Sequence, residues 1–147
     1  MITTQQAIPD NADECAEILQ EWIGKTDWFI SPHPASAAAP MLRSVIEKTG
    51  VTLALHDRKI AGFSCMEDGV LEFLYMRAAY QNQGIGRMLL DRCKFARPKG
   101  FSLWTFQQNT GARRFYEREG FQEAERTDGA GNEEGLPDIR YVWEGEI

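Results

Sequence analysis

Residues 70–90, VLEFLYMRAAYQNQGIGRMLL, run from a short apolar stretch through a polar turn into a helical pattern, with two glycines one residue apart at the junction. Val70 to Met76 is rich in β-branched, aromatic and long apolar side chains, as a buried or half-buried strand requires. Gln81 to Gly86 then gathers polar residues and glycines, where missing β-carbons let backbone amides come close to a ligand. Ile85, Met88, Leu89, Cys93 and Ala96 follow at helical spacing, so the turn opens onto the N-terminus of an amphipathic helix. The free amides of such a terminus form a ready anion site. The stretch therefore predicts a phosphate-binding strand, loop and helix.

A Gly-x-Gly pair before a helix also serves as a plain tight connection, and the spacing alone leaves both readings open. Two better-known phosphate fingerprints are disfavoured. A dinucleotide turn needs a further glycine where this chain has Leu89, and a P-loop needs Gly-Lys-Ser/Thr, which is absent.

Other function classes fall to composition. With 147 residues and 43% hydrophobic content, the chain can bury a sizeable core, and a single soluble domain over residues 1–147 is expected. No window approaches the roughly 18 uninterrupted apolar residues of a membrane span. The N-terminus MITTQQAIPDNADE has no basic region followed by an apolar one, so a cytoplasmic protein is expected. Cys15, Cys65 and Cys93 are scattered, and His33 and His56 have no partner at metal-ligand spacing, so neither disulfides nor a metal site is expected. A net charge of −6 without a basic cluster argues against nucleic acid.

In chain order, the pattern predicts a strand at Ile2 to Ala7 and a helix whose apolar face carries Ala12, Cys15, Ala16, Leu19, Trp22 and Ile23. Asn11 and Glu14 have capping-box spacing, and Gly24 ends the helix. Lys25 to Pro40 reads as a loop carrying exposed aromatics, either stapled onto the core or facing a substrate. A second helix is expected from Ala37 to Lys48. Val51 to Met66 reads as a hairpin turning at Asp57-Arg58-Lys59, with Asp68-Gly69 as the next turn. Phe101 to Phe106 gives a strand, Asn109 caps a helix running through Glu119, and strands follow at Phe121 to Arg126 and Ile139 to Trp143 around a glycine-rich acidic loop.

This order, with Gln81-x-x-Gly84-x-Gly86 and the downstream Asn109-x-x-Ala112-x-x-Phe115-Tyr116-x-x-x-Gly120-Phe121, resembles the GNAT N-acetyltransferase superfamily over nearly the whole chain. The resemblance implies an α/β fold with a mixed, mostly antiparallel sheet, splayed between two strands and flanked by about four helices. It implies acetyl-CoA as co-substrate, with the pyrophosphate held by Gln81, Asn82, Gln83, Gly84, Ile85 and Gly86, and Arg87 close by. Pantetheine would lie between Val70 to Met76 and Phe101 to Phe106, paired with the backbone of Leu74, Tyr75 and Met76 and touching Asn109, Ala112, Phe115 and Tyr116.

In this family a tyrosine at the position of Tyr116 protonates the departing thiolate; its reading from the residues alone is a core aromatic beside Phe115. Glu72 interrupts the apolar strand, and strict alternation would place it on the face of Val70, Leu74 and Met76. It is the lead candidate for general base, against a plain solvated position or a water relay. Glu134 and Asp138 are further candidates for binding or deprotonating an amine, against plain surface charges. Trp28, Phe29, Trp104 and Trp143 are candidates for an acceptor wall, with core packing as the alternative. Ribosomal-protein acetyltransferases carry a glutamate where Trp104 stands, which disfavours that substrate class.

The expected acceptor is a small-molecule amine, with no nucleic acid or membrane partner, and a homodimer is compatible with the sequence. Two alternatives stand beside it: a protein or peptide N-acetyltransferase, and a non-catalytic acyl-CoA-binding module.

Overall fold

The computed structural model describes residues 1–145. The chain opens with strand β1 (Ile2–Gln6), followed by helices α1 (Ala12–Gly24) and α2 (Ala38–Lys48). A meander of β2 (Thr52–His56), β3 (Lys59–Glu67) and β4 (Val70–Met76) comes next. Then follow α3 (Ile85–Ala96), β5 (Phe101–Phe106), α4 (Thr110–Arg118), β6 (Gln122–Thr127) and β7 (Asp138–Trp143). The strands form one sheet in the order β1-β2-β3-β4-β5-β7-β6. Every pairing is antiparallel except that of β4 with β5.

The meander is set by its turns. Asp57 and Arg58 have φ of 49° and 73°, and Asp68 and Gly69 have 50° and 78°, so both two-residue turns are left-handed throughout, which suits the twist of paired strands. α1 and α2 cover one face of the sheet, burying Ile18, Leu42 and Ile46 against Leu53, Phe63 and Cys65. α3 and α4 cover the other. There Ile85 and Leu89 meet Ala54 and Ala61, and Leu90 and Tyr116 meet Leu71, Leu103, Ile139 and Tyr141.

Three local expectations change. Asn11 does not cap α1; its Oδ1 accepts from the amide of Ile8 at 2.8 Å, because Pro9–Asn11 forms a 3-10 turn that already starts the helix. The segment read as a loop to Pro40 is shorter, since a 3-10 turn at Ala35–Ala37 leads into α2 and Pro40 sits in its first turn, where a missing amide costs nothing. Trp28 and Phe29 are half-buried, with ring centroids 6.0 and 5.0 Å from that of Trp22, so the aromatics of this segment are stapled down.

The parallel join decides where a ligand can enter. β4 and β5 pair with each other only at Val70 with Ser102 and Leu71 with Leu103; beyond that each stays paired to its other neighbour, β3 or β7, while the two run apart to Met76 and Phe106.

Candidate active site

The divergence of β4 and β5 opens a cavity of about 1140 Å³. Side chains alternate along each strand, so its walls belong to both faces of the sheet. Toward α3 and α4 it is lined by Leu74, Met76, Gly84, Gly86, Phe115 and Tyr116; toward α1 it is lined by Trp22, Tyr75, Trp104, Phe106 and Glu134. The cavity thus passes through the sheet.

At the α3 side, Gly84 is the residue before the helix and has φ of 80°, a left-handed conformation that favours glycine. No side chain caps this terminus, and the first helical bond runs from the Met88 amide to the Gly84 carbonyl at 3.0 Å. The preceding amides have no helical partner. Arg87 stands in the first turn, where a cation is unfavourable to the helix dipole and favourable to a bound anion. Its Nε lies 3.3 Å from Glu119 Oε1, and the Arg118 Nε lies 3.7 Å from Oε2 of the same buried carboxylate.

Gly86 has a different reason to be glycine. A β-carbon there would come no closer than 3.9 Å to Met76 and Phe115, so the fold itself tolerates a side chain. The open space at Gly86 faces the cavity.

Tyr116 is buried among Phe115, Phe121 and Tyr141, with ring centroids at 5.1, 5.5 and 6.4 Å, and it lines the cavity. Burial, with Tyr75 and Cys93 adding to it, raises its hydroxyl above the usual tyrosine range. Tyr75 is pushed up to about 12 by burial, with the Glu134 carboxylate adding to it.

Glu72 occupies a β-bulge. Cys65 pairs with Phe73 and Met66 with Leu71, leaving Glu72 as the extra residue on β4. The alternation expected from the sequence is therefore broken: Leu71 and Leu74, three apart, both pack in the core beneath α3 and α4, and Glu72 is out of step with Leu74 and Met76. Its residue is exposed and lines the cavity; partial burial of the carboxyl, and then the charge of Glu67, raise its pKa.

On the α1 side, Trp104 is 44% exposed and lines the cavity, whereas Trp28 and Phe29 stand behind the wall, packed edge-on and tilted against Phe106 with centroids at 5.7 and 5.6 Å. Trp143 lies elsewhere, against Phe101 at 5.7 Å. Asp138 reaches the cavity, but its carboxylate accepts from the Thr127 hydroxyl and from Asn132 Nδ2, the latter at 3.2 Å. Asn132 also bonds both backbone groups of Leu136, at 2.8 and 3.2 Å, which fixes the loop between β6 and β7. From this loop Glu133 reaches His33 Nε2 at 3.2 Å, so the connection after α1 and the loop after β6 touch.

A family model for the acetyltransferase (GNAT) domain matches residues 47–123, just over half of the chain and the part that carries both motifs. The chain belongs to the GNAT acetyltransferase family. Acetyl transfer from acetyl-CoA is the activity of that family. No curated protein sequence matches the chain. Among solved structures, the apo form of YjaB from Escherichia coli is similar with a TM-score of 0.82 at 19% identity, covering 99% of each chain. The PaiA N-acetyltransferase from Thermoplasma acidophilum, solved with coenzyme A, gives 0.79 at 19% identity over 98% of this chain and 99% of its own. YncA from Salmonella typhimurium, solved with acetyl-CoA, gives 0.75 at 16% identity over 100% and 95%. At these identities the likeness bears on the fold, and the splayed GNAT sheet is the fold they share.

Most of the residues singled out from the GNAT motifs line this one cavity: Leu74, Tyr75, Met76, Gln81, Asn82, Gly84, Gly86, Arg87, Asn109, Ala112, Phe115 and Tyr116. Gln83 and Ile85 do not. Gln83 Nε2 bonds the Ala79 carbonyl at 3.3 Å, and the Ile85 side chain is buried in the core. Sequence reasoning missed Trp22 and Phe106 as wall residues, and Arg118 and Glu119 beside the glycine turn. Trp22 had a signal, as the largest residue at the end of an apolar helical face; Glu119 had none.

Proposed function

We propose that this GNAT protein moves the acetyl group of acetyl-CoA onto a primary amine of a small molecule, by direct attack with both substrates bound. One observation carries the reading: an uncapped, glycine-opened helix N-terminus and a buried tyrosine share a cavity that passes through the sheet. The free amides of α3 and Arg87 suit a pyrophosphate, and the unpaired edges of β4 and β5 offer backbone groups to pantetheine.

The remaining residues divide the chemistry. Glu72 takes the proton that the ammonium must lose before its nitrogen can attack. As the carbon–nitrogen bond forms, an amide of β4 near Leu74 or Tyr75 donates to the carbonyl oxygen, a contribution of roughly 3 kcal/mol for a fixed donor. The carbon–sulfur bond then breaks, Tyr116 gives its proton to the thiolate, and the proton left on the new amide nitrogen restores the tyrosine through solvent. The raised hydroxyl keeps its proton until that moment. None of the three cysteines lines the cavity, which supports direct attack over a covalent acetyl-enzyme.

A small acceptor is supported by the contact between His33 and Glu133, which joins the two segments that would otherwise leave a groove for a peptide. Asp138, with both oxygens engaged, is assigned to holding the loop. An acetyl-CoA-consumption screen over amines, amino acids, polyamines, aminoglycosides and peptides tests the reading. Turnover confined to peptides would overturn the small-molecule acceptor; coenzyme A binding with no turnover on any amine would make the protein a binding module.

A further inference from the structure

Glu134 is half-buried on the loop between β6 and β7, where the neighbouring acidic groups are already engaged: Asp128 with the Ala130 amide, Glu133 with His33, and Asp138, at the start of β7, with Thr127 and Asn132. Among the described residues the Glu134 carboxylate has neither a hydrogen-bond nor an ion-pair partner, and it lines the cavity. The loop that carries it is held by the bonds around Asn132, which fix the backbone from which the carboxylate reaches the cavity. A carboxylate at a cavity wall with no protein partner is available to pair with a cation that enters the cavity.

Its surroundings restrict that cation. Trp22, Tyr75, Trp104 and Phe106 form the wall on this side of the sheet, with the Trp22 and Tyr75 centroids 5.5 Å apart. Aromatic faces favour an ammonium and bury the carbon skeleton that bears it. The cationic side chains of the described cavity wall are Arg87 and Arg118, both beside the glycine turn and both paired with Glu119. Nothing cationic on the α1 side of that wall can receive a carboxylate.

We propose that the acceptor is a primary amine on an aromatic or bulky apolar skeleton that bears no carboxylate, with Glu134 holding its ammonium against the Trp22 and Tyr75 rings. The assignment rests on the transferase reading above. Glu134 then selects the amine, Glu72 removes its proton, and α-amino acids are rejected because their carboxylate would be buried beside Glu134 without a partner.

The test compares 2-phenylethylamine, phenylalanine and spermidine as acceptors for the purified full chain, with coenzyme A binding followed by calorimetry. The arylalkylamine is expected to exceed phenylalanine by about 100-fold in kcat/KM, the penalty of an unpaired buried carboxylate. Glu134→Gln should raise KM for the arylalkylamine about tenfold or more, with KM for acetyl-CoA unchanged. Equal or faster turnover of phenylalanine or spermidine, or an unchanged amine KM in Glu134→Gln, overturns this assignment and leaves the transferase reading standing. Turnover of none of the three, with coenzyme A still bound, overturns this assignment; extending that failure to the wider amine screen overturns the transferase reading as well.

Discussion

Gly86 faces Phe115 at the mouth of the splay, with 3.9 Å between the ring's Cζ and the point where a β-carbon would stand on the glycine. The protein leaves room for a side chain that a ligand would need removed. Gly86→Val is therefore expected to fold with little change in melting temperature and to lose coenzyme A affinity by about tenfold or more. Unchanged affinity by calorimetry would refute the phosphate role of the turn. Gly84→Val is a poorer probe, since its φ of 80° strains any side chain, at about 1–2 kcal/mol.

Tyr116→Phe keeps the ring that packs on Phe115, Phe121 and Tyr141 and removes only the hydroxyl. The transfer rate is expected to fall about 10²- to 10⁴-fold, the range for a lost general acid, with stability nearly intact. Because burial raises this hydroxyl, it remains protonated beyond the ordinary tyrosine range, and the parent should show no alkaline loss from this group below about pH 10. A Phe variant at full rate would remove Tyr116 as the acid.

The Glu72 carboxyl has a raised pKa, so the acidic limb of the rate profile should lie above the ordinary glutamate range. A base must be ionised, hence the rate falls as the pH drops through that value, and Glu72→Gln should lose both the limb and most of the rate. Stability moves the other way. A folded pKa above the unfolded one favours the protonated form in the native state, so stability falls as the pH rises through the raised value. Glu72→Gln, which cannot ionise, should therefore melt no lower than the parent at pH 7. A rate profile identical to the parent's would exclude Glu72 as base.

Asn109 caps α4, its Oδ1 accepting from the Ala112 amide at 3.2 Å. Asn109→Ala should cost about 1 kcal/mol in denaturant unfolding. If Asn109 also contacts pantetheine, the same variant raises KM for acetyl-CoA, whereas a cap alone leaves KM unchanged.

The two family motifs were legible because their structure is local. Gln81 to Gly86 and Asn109 to Phe121 are each contiguous, a turn and a helix that form where their own sequence directs. Glu72 was less legible. A two-residue period predicts its side only while pairing is regular, and the bulge opposite Cys65 and Met66 depends on how β3 and β4 settle together. Trp28 and Phe29 stayed open between two readings for the same reason: whether an aromatic pair in a loop is stapled down depends on Trp22 and Phe106 from distant elements.

The sequence by itself determined the strand, turn and helix at residues 70–96, the cap at Asn109 and the family those motifs belong to, because dihedral preferences and hydrophobic periodicity act over a few residues. Tertiary structure decided where β4 and β5 part, which rings face the opening, and that Glu134 stands there without a partner among the described residues while Asp138 is engaged. Those outcomes depend on contacts between elements far apart in the chain, which no local pattern encodes.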